Sequence, residues 1–65
     1  MERIKELRLN KGLKQEELAT ILGVERSTVT KWETGDSKPR ADILPKLAGV
    51  LGCSIDTLFL PKSVN

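Results

Sequence analysis

The stretch Gln15–Glu33, QEELATILGVERSTVTKWE, decides the fold. Leu18, Ala19 and Leu22 fall at i, i+1 and i+4, and Val29 and Trp32 at i and i+3, spacings that belong to helices rather than to the alternation of a strand. Each half of the stretch therefore has one apolar face, and Leu22-Gly23-Val24-Glu25 between the halves reads as a sharp turn. Gly23 stands where the leading helix must stop, a place that favours a residue tolerant of positive φ. Val24 follows it as an apolar plug between the helices. The leading helix begins near Gln15, with Glu16 and Glu17 in its first turn, where carboxylates suit the positive end of the helix dipole.

The trailing helix is expected from about Arg26 to Glu33. At 100° per residue, with Val29 and Trp32 inward, Ser27, Thr30 and Lys31 point most directly outward, and Arg26 and Thr28 flank them. Glu33 comes four residues after Val29 and so turns inward. Trp32 is read as core on the same spacing.

Outward from this stretch toward the N-terminus, Asn10-Lys11-Gly12 is a helix-stop signal and Leu13 an apolar anchor for the connection. A first helix is expected from Glu2 to about Asn10, with Ile4 and Leu7 on its inner face and Leu9 partly exposed. Arg8, four residues after Ile4, shares the inner face. Arg8 and Glu33 are thus opposite charges on two buried faces, and either one buried alone would cost several kcal/mol, which argues for a structural ion pair.

Toward the C-terminus, TGDSKPR from Thr34 to Arg40 has the composition of a loop, with Lys38 and Arg40 in it. Asp42 is expected to cap a fourth helix, because Pro45 then takes the third helical position, where no intrahelical N–H bond is lost. Leu44, Leu47, Ala48 and Leu51 form an i, i+3, i+4, i+7 stripe, and Gly52 ends it. Ser54 caps a last short helix containing Ile55, Leu58 and Phe59, which Pro61 stops. The reading is one all-α domain over residues 1–61 with a frayed tail at 62–65, and no strand or repeat.

Composition narrows the chemistry. The 65 residues include one cysteine and no histidine, so neither an internal disulfide framework nor a Cys/His metal site can be assembled. Cys53 lacks a histidine to activate it, and no Gly-rich phosphate loop is present, so no enzyme, cofactor, metal or small-molecule ligand is expected. Cys53 reads as a small apolar filler. No apolar run nears the roughly 18 residues of a membrane span, and the start MERIKEL lacks the apolar core of a secretory signal. A cytoplasmic chain is the expectation.

The net charge of +2 says little about partners by itself. Met1–Lys14 carries five basic and two acidic residues, and Gln15–Arg40 four basic and five acidic. Any binding to nucleic acid must then come from where individual charges point.

With these elements placed, the sequence resembles the Cro and phage-repressor helix-turn-helix family (XRE-like, lambda-repressor-like). The likeness rests on Ile4, Leu7-Arg8, Gly12-Leu13, Gln15, Glu17-Leu18-Ala19, Leu22-Gly23-Val24, Ser27-Thr28-Val29, Trp32-Glu33, Gly35 and Pro39. It continues through Leu47-Ala48, Leu51-Gly52, Ser54 and Leu58, and so covers about residues 2–60. It implies a compact five-helix lambda-repressor-like domain with the helix-turn-helix at helices 2 and 3. It also implies that the third helix enters the major groove and that dimers span two half-sites.

The resemblance assigns roles residue by residue. Gln15 would bind a phosphate of double-stranded DNA and buttress the recognition helix, while Arg26, Ser27, Thr28 and Lys31 would read base edges. Guanine O6 and N7 are the natural target of Arg26 and Lys31. Lys14, Lys38 and Arg40 become phosphate contacts. The family's arginine–glutamate link between helices 1 and 3 matches Arg8 and Glu33, the pair that the helical faces reach independently.

One residue departs from the pattern. Glu25 stands where such proteins often have a small hydroxyl residue that caps the recognition helix near phosphate. The implied function is a sequence-specific transcriptional regulator, a repressor acting as a homodimer on a palindromic operator. The alternative is a protein-interaction module of the same fold, an antitoxin or regulatory adaptor. If 65 residues is the full length, self-association would use the helical domain itself, with Ile55, Leu58, Phe59 and Leu60 as the best apolar candidates, although part of that set must instead close the core.

Overall fold

The computed structural model describes residues 2–58 and forms five helices: α1 Glu2–Asn10, α2 Gln15–Leu22, α3 Arg26–Thr34, α4 Leu44–Leu51 and α5 Ile55–Leu58. Phe59, Leu60, Pro61 and the tail at 62–65 lie outside the described residues, as does the outer part of the domain boundary expected at residue 61. Among the described residues, no helix is long and apolar enough to cross a membrane.

The apolar stripes converge on one cluster. Ile4 comes from α1; Leu18, Ala19 and Leu22 from α2; Val29 and Trp32 from α3; Leu47, Ala48 and Leu51 from α4; and Leu58 from α5. Burying a large apolar side chain is worth roughly 1.5–3 kcal/mol, so a domain this small depends on nearly every member. α1 touches α3, α4 and α5, whereas α2 packs most extensively on α3.

The turn between α2 and α3 follows from Gly23. Its φ is +74°, and the Gly23 and Val24 N–H groups return to the Thr20 and Ala19 carbonyls at 3.2 and 3.0 Å. These two bonds satisfy carbonyls that a helix end leaves open and reverse the chain within a few residues. A Cβ at Gly23 would meet nothing within 4 Å, so the position requires the left-handed backbone and not the space. Val24 then packs against the core.

At Gly52, which ends α4 with φ +73°, the left-handed backbone is again the constraint; a Cβ there would lie 2.9 Å from the Lys11 ammonium, the movable end of a flexible side chain. That cation sits over the negative end of α4.

The helix starts differ. At α2 the Glu17 carboxylate accepts the Lys14 N–H at 2.8 Å, and at α5 the Ser54 hydroxyl accepts the Thr57 N–H at 3.2 Å. The start of α4 corrects the sequence reading. Asp42 does not cap it; Ile43, in helical geometry at φ −85° and ψ −27°, occupies that place, and Pro45 falls within the first two helical positions. The Ile43 and Leu44 N–H groups fold back on the Arg40 carbonyl at 3.0 and 3.3 Å, while the Asp42 carboxylate is taken by the Arg40 guanidinium at 3.1 Å. An acid two residues from an arginine had a nearer partner than the helix.

Candidate nucleic-acid interface

A buried polar knot fixes α3 to the rest of the domain. Arg8 Nε donates to Glu33 Oε2 at 2.7 Å and Arg8 Nη2 to Glu33 Oε1 at 3.2 Å, with side-chain exposures of 7% and 3%. The remaining Arg8 nitrogen, Nη1, donates to the Leu13 carbonyl at 2.7 Å and holds the α1–α2 connection. Gln15 Nε2 adds a further donor to Glu33 Oε1 at 2.9 Å. Charges removed from water are tolerated only when their bonding groups are met, and here three donors converge on one carboxylate.

Gln15 is engaged at both ends of its amide. Its Oε1 accepts the Thr30 hydroxyl at 3.0 Å, for which the Arg26 carbonyl at 3.2 Å is the alternative acceptor. The first residue of α2 is thereby linked to two turns of α3. Thr30, which the 100° projection pointed outward, is half-buried against α2. The projection places a residue around one helix; it does not know that a second helix begins alongside.

The outward row of α3 is Ser27, Lys31 and Thr34, all exposed. Thr34 extends the 27, 31 spacing by three and belongs to the same face, a residue missed because the helix was expected to end at Glu33. Arg26 is exposed and Thr28 half-buried, on opposite flanks of that row.

Each flank meets a recess carrying predicted phosphate contacts. On one side a recess of about 320 Å³ is lined by Lys14, Gln15 and Arg26, with Glu16 among them. On the other, a cleft of about 500 Å³ joins Thr28 to Lys38 and Arg40 over an apolar floor that includes Val24 and Trp32. All eight residues assigned to DNA by the resemblance thus lie on α3 or border a recess beside it.

The loop that carries Lys38 and Arg40 is tied to α3 through one atom. The Lys31 carbonyl accepts the Gly35 N–H at 3.0 Å, the Ser37 N–H at 3.3 Å and the Thr34 hydroxyl at 3.3 Å. Lys31, in the middle of the outward row, therefore also anchors the loop's backbone.

Electrostatics around the face are mixed. Arg40 is exposed and paired with Asp42; the hydrogen bond, followed by the charge, raises the arginine's pKa, and the same bond holds the Asp42 carboxyl below its ordinary value. Glu25 is exposed at the start of α3, with backbone angles φ −79° and ψ 151° and no side-chain bond to the helix. Elsewhere, burial pushes the Cys53 thiol up, with Arg3 opposing, so it stays protonated and packs against the core.

Of the apolar residues offered for self-association, Leu58 is only 1% exposed and closes the core under α5, so it is not a surface residue. Ile55 is 38% exposed, and Phe59 and Leu60 lie outside the described residues.

The comparisons with known proteins agree with this architecture. The family model described as Helix-turn-helix matches residues 4–58. The chain belongs to that helix-turn-helix family, whose members include transcriptional regulators of the XRE and Cro type.

It is 40% identical over 58 residues to the SPbeta prophage-derived uncharacterized HTH-type transcriptional regulator YonR of Bacillus subtilis, covering 89% of this chain and 54% of the relative. It is 33% identical to the cryptic phage CTXphi transcriptional repressor RstR of Vibrio cholerae, covering 97% of this chain and 57% of the relative. The chain therefore spans little more than half the length of these curated relatives.

Among solved structures, the restriction-modification controller protein C.AhdI from Aeromonas hydrophila aligns with a TM-score of 0.80 and 40% identity over 89% of this chain and 88% of that one. The fold also occurs inside a larger enzyme. An Fe(II) HppE crystallised with substrate aligns with a TM-score of 0.82 at 32% identity, over 98% of this chain but 37% of its own. The regulators among the matches favour DNA reading over the adaptor alternative.

Proposed function

We propose that this chain is a sequence-specific DNA-binding transcriptional regulator, a cytoplasmic repressor that occupies a palindromic operator as a homodimer. The observation that carries the reading is the contrast within α3. Its inner side is locked by Arg8, Glu33 and Gln15, while its outer row is exposed and flanked by recesses bearing Lys14, Arg26, Lys38 and Arg40. A rigid helix with a polar outer face and cations along both borders suits a groove between two phosphate backbones.

In this reading Arg26, Ser27, Thr28 and Lys31 contact base edges, with guanine as the target of the two cations. Lys14, Lys38 and Arg40 meet phosphates, and Arg40 exchanges Asp42 for one. Gln15 gives one amide proton to Glu33 and has a second for phosphate. No catalytic role is assigned, a reading supported by the transcriptional regulators among the relatives. Self-association draws on Ile55 and on residues beyond Leu58.

A binding selection on random duplexes tests this. The expected result is enrichment of a pseudo-palindrome whose half-sites lie about 10–10.5 base pairs apart, centre to centre. Recovery of duplexes with no common sequence would reject sequence-specific reading.

A further inference from the structure

Glu25 stands at the corner where α3 begins, where its charge suits the positive end of the helix dipole but no hydrogen bond or ion pair holds its carboxylate. It does not cap the helix through its side chain; the Thr28 and Val29 N–H groups bond instead to its backbone carbonyl at 3.0 and 3.4 Å. Among the described residues no ion pair or hydrogen bond joins the carboxylate to Arg26, Lys31 or any other group. Glu16, Asp36 and Asp56 are likewise without a side-chain partner among the described residues, other acids are engaged, and Glu25 is the one that directly precedes Arg26. Glu6 pairs with Arg3, Glu33 with Arg8, Asp42 with Arg40, and Glu17 holds the start of α2.

Stability alone would favour serine, threonine, aspartate or asparagine at this cap, because their shorter side chains reach the first-turn N–H groups. General affinity for DNA would also favour a neutral group, since a negative charge beside phosphates is repelled. A chain with net charge +2 has little general attraction to offset that repulsion. Glutamate therefore helps the helix start through its charge alone and not through a side-chain cap, and it serves sequence-independent binding poorly.

A specific contact reverses the sign. An ionised carboxylate accepts hydrogen bonds and cannot donate them. In the major groove guanine presents O6 and N7 and thymine presents O4, all acceptors that repel it. Adenine offers its N6 amino group beside its own N7 acceptor. Cytosine offers its N4 amino group with no acceptor on its own edge. The first residues of a groove-reading helix are those that approach base edges, and Glu25 immediately precedes Arg26 there.

We propose that Glu25 is a specificity-determining residue that accepts a hydrogen bond from a cytosine amino group next to the base pair met by Arg26. The proposal rests on the DNA-reading assignment of α3 made above. Glu25 then rewards one base and penalises every duplex that lacks it, which makes it a filter against random DNA as well as a reader.

The test runs the random-duplex selection in parallel on the whole chain as wild type, Glu25→Gln and Glu25→Ser. Affinities are then measured for the four base pairs at the implicated position. Wild type is expected to prefer cytosine at one position of each half-site, by about tenfold over the other bases. Glu25→Gln should move that preference to adenine, which a glutamine amide can pair at N6 and N7. Glu25→Ser should lose the preference at that position alone, and its melting temperature should match or exceed wild type because serine can cap.

An unchanged base preference in both variants, with uniformly tighter binding to all duplexes, would overturn the proposal and leave Glu25 as a simple phosphate repellent. Failure of wild type itself to enrich any sequence would instead overturn the assignment of α3, and this proposal with it.

Discussion

Two ion pairs in this small domain use the same chemistry in opposite settings. Arg8–Glu33 joins α1 to α3 across 25 residues with both side chains nearly sealed from water, and it recruits Gln15 and the Leu13 carbonyl. Arg40–Asp42 joins neighbours in the loop before α4, with side-chain exposures of 82% and 64%. The first cannot be opened without stranding a charge in the interior. Water and counterions replace either partner of the second at little cost. The buried pair therefore sets where α3 lies, and the exposed one leaves Arg40 available to a stronger anion such as phosphate.

Glu33→Ala gives the largest expected effect and would break this contrast if it did not appear. Losing the carboxylate strands Arg8 and removes the acceptor of Gln15 Nε2, and a loss of about 3–5 kcal/mol is expected from urea denaturation. A midpoint equal to that of wild type would mean that the buried pair does not hold the motif. Lys31→Ala comes next and concerns binding rather than folding. Its side chain is exposed, so stability should hold, while affinity for a selected site falls by about 1–3 kcal/mol and preference relaxes at one base pair.

Gln15→Ala sharpens the account of the knot. Its removal leaves Thr30 without its amide acceptor and Glu33 with one donor fewer, and two hydrogen bonds of about 0.5–1.5 kcal/mol each are at stake. Duplex binding should weaken by a similar factor for every sequence, which gel-shift titrations on selected and scrambled sites would show.

Asp42→Ala should have the smallest effect, a melting temperature within error of wild type. The titration of Asp42 gives a finer reading of the same pair. Its folded carboxyl lies below the ordinary value because of the Arg40 bond, so whatever it contributes is present above the ordinary carboxylate range and lost as pH falls through the lowered value. An NMR titration should find the Asp42 midpoint low in wild type and raised in Arg40→Ala.

Much of this architecture was legible in the sequence. The apolar spacings and the glycines at 12, 23 and 52 carry local information, and local information fixes where helices of eight or nine residues start and stop. The faces of α1 and α3 were also enough to bring Arg8 to Glu33, because a charge placed on an apolar stripe demands a partner.

What was not legible depended on neighbours in space. Thr30 projects outward from an isolated α3 but meets Gln15 once α2 begins beside it. Asp42 resembles a cap until Arg40 takes its carboxylate. Which of the apolar residues from Ile55 onward closes the core stays open until α5 folds down on α1 and α4 and buries Leu58. On α3, the outward turn of Ser27 and Lys31 was readable, but the two flanking recesses come from residues 14–16 and 37–43 brought together by the fold.

The most direct test of the central claim is the affinity of wild type for a selected and a scrambled duplex, measured as salt is raised. The claim predicts that the logarithm of the binding constant falls linearly with the logarithm of salt concentration for both, with the selected duplex bound more tightly throughout. Binding that is equal for the two duplexes, or that does not respond to salt, would contradict it.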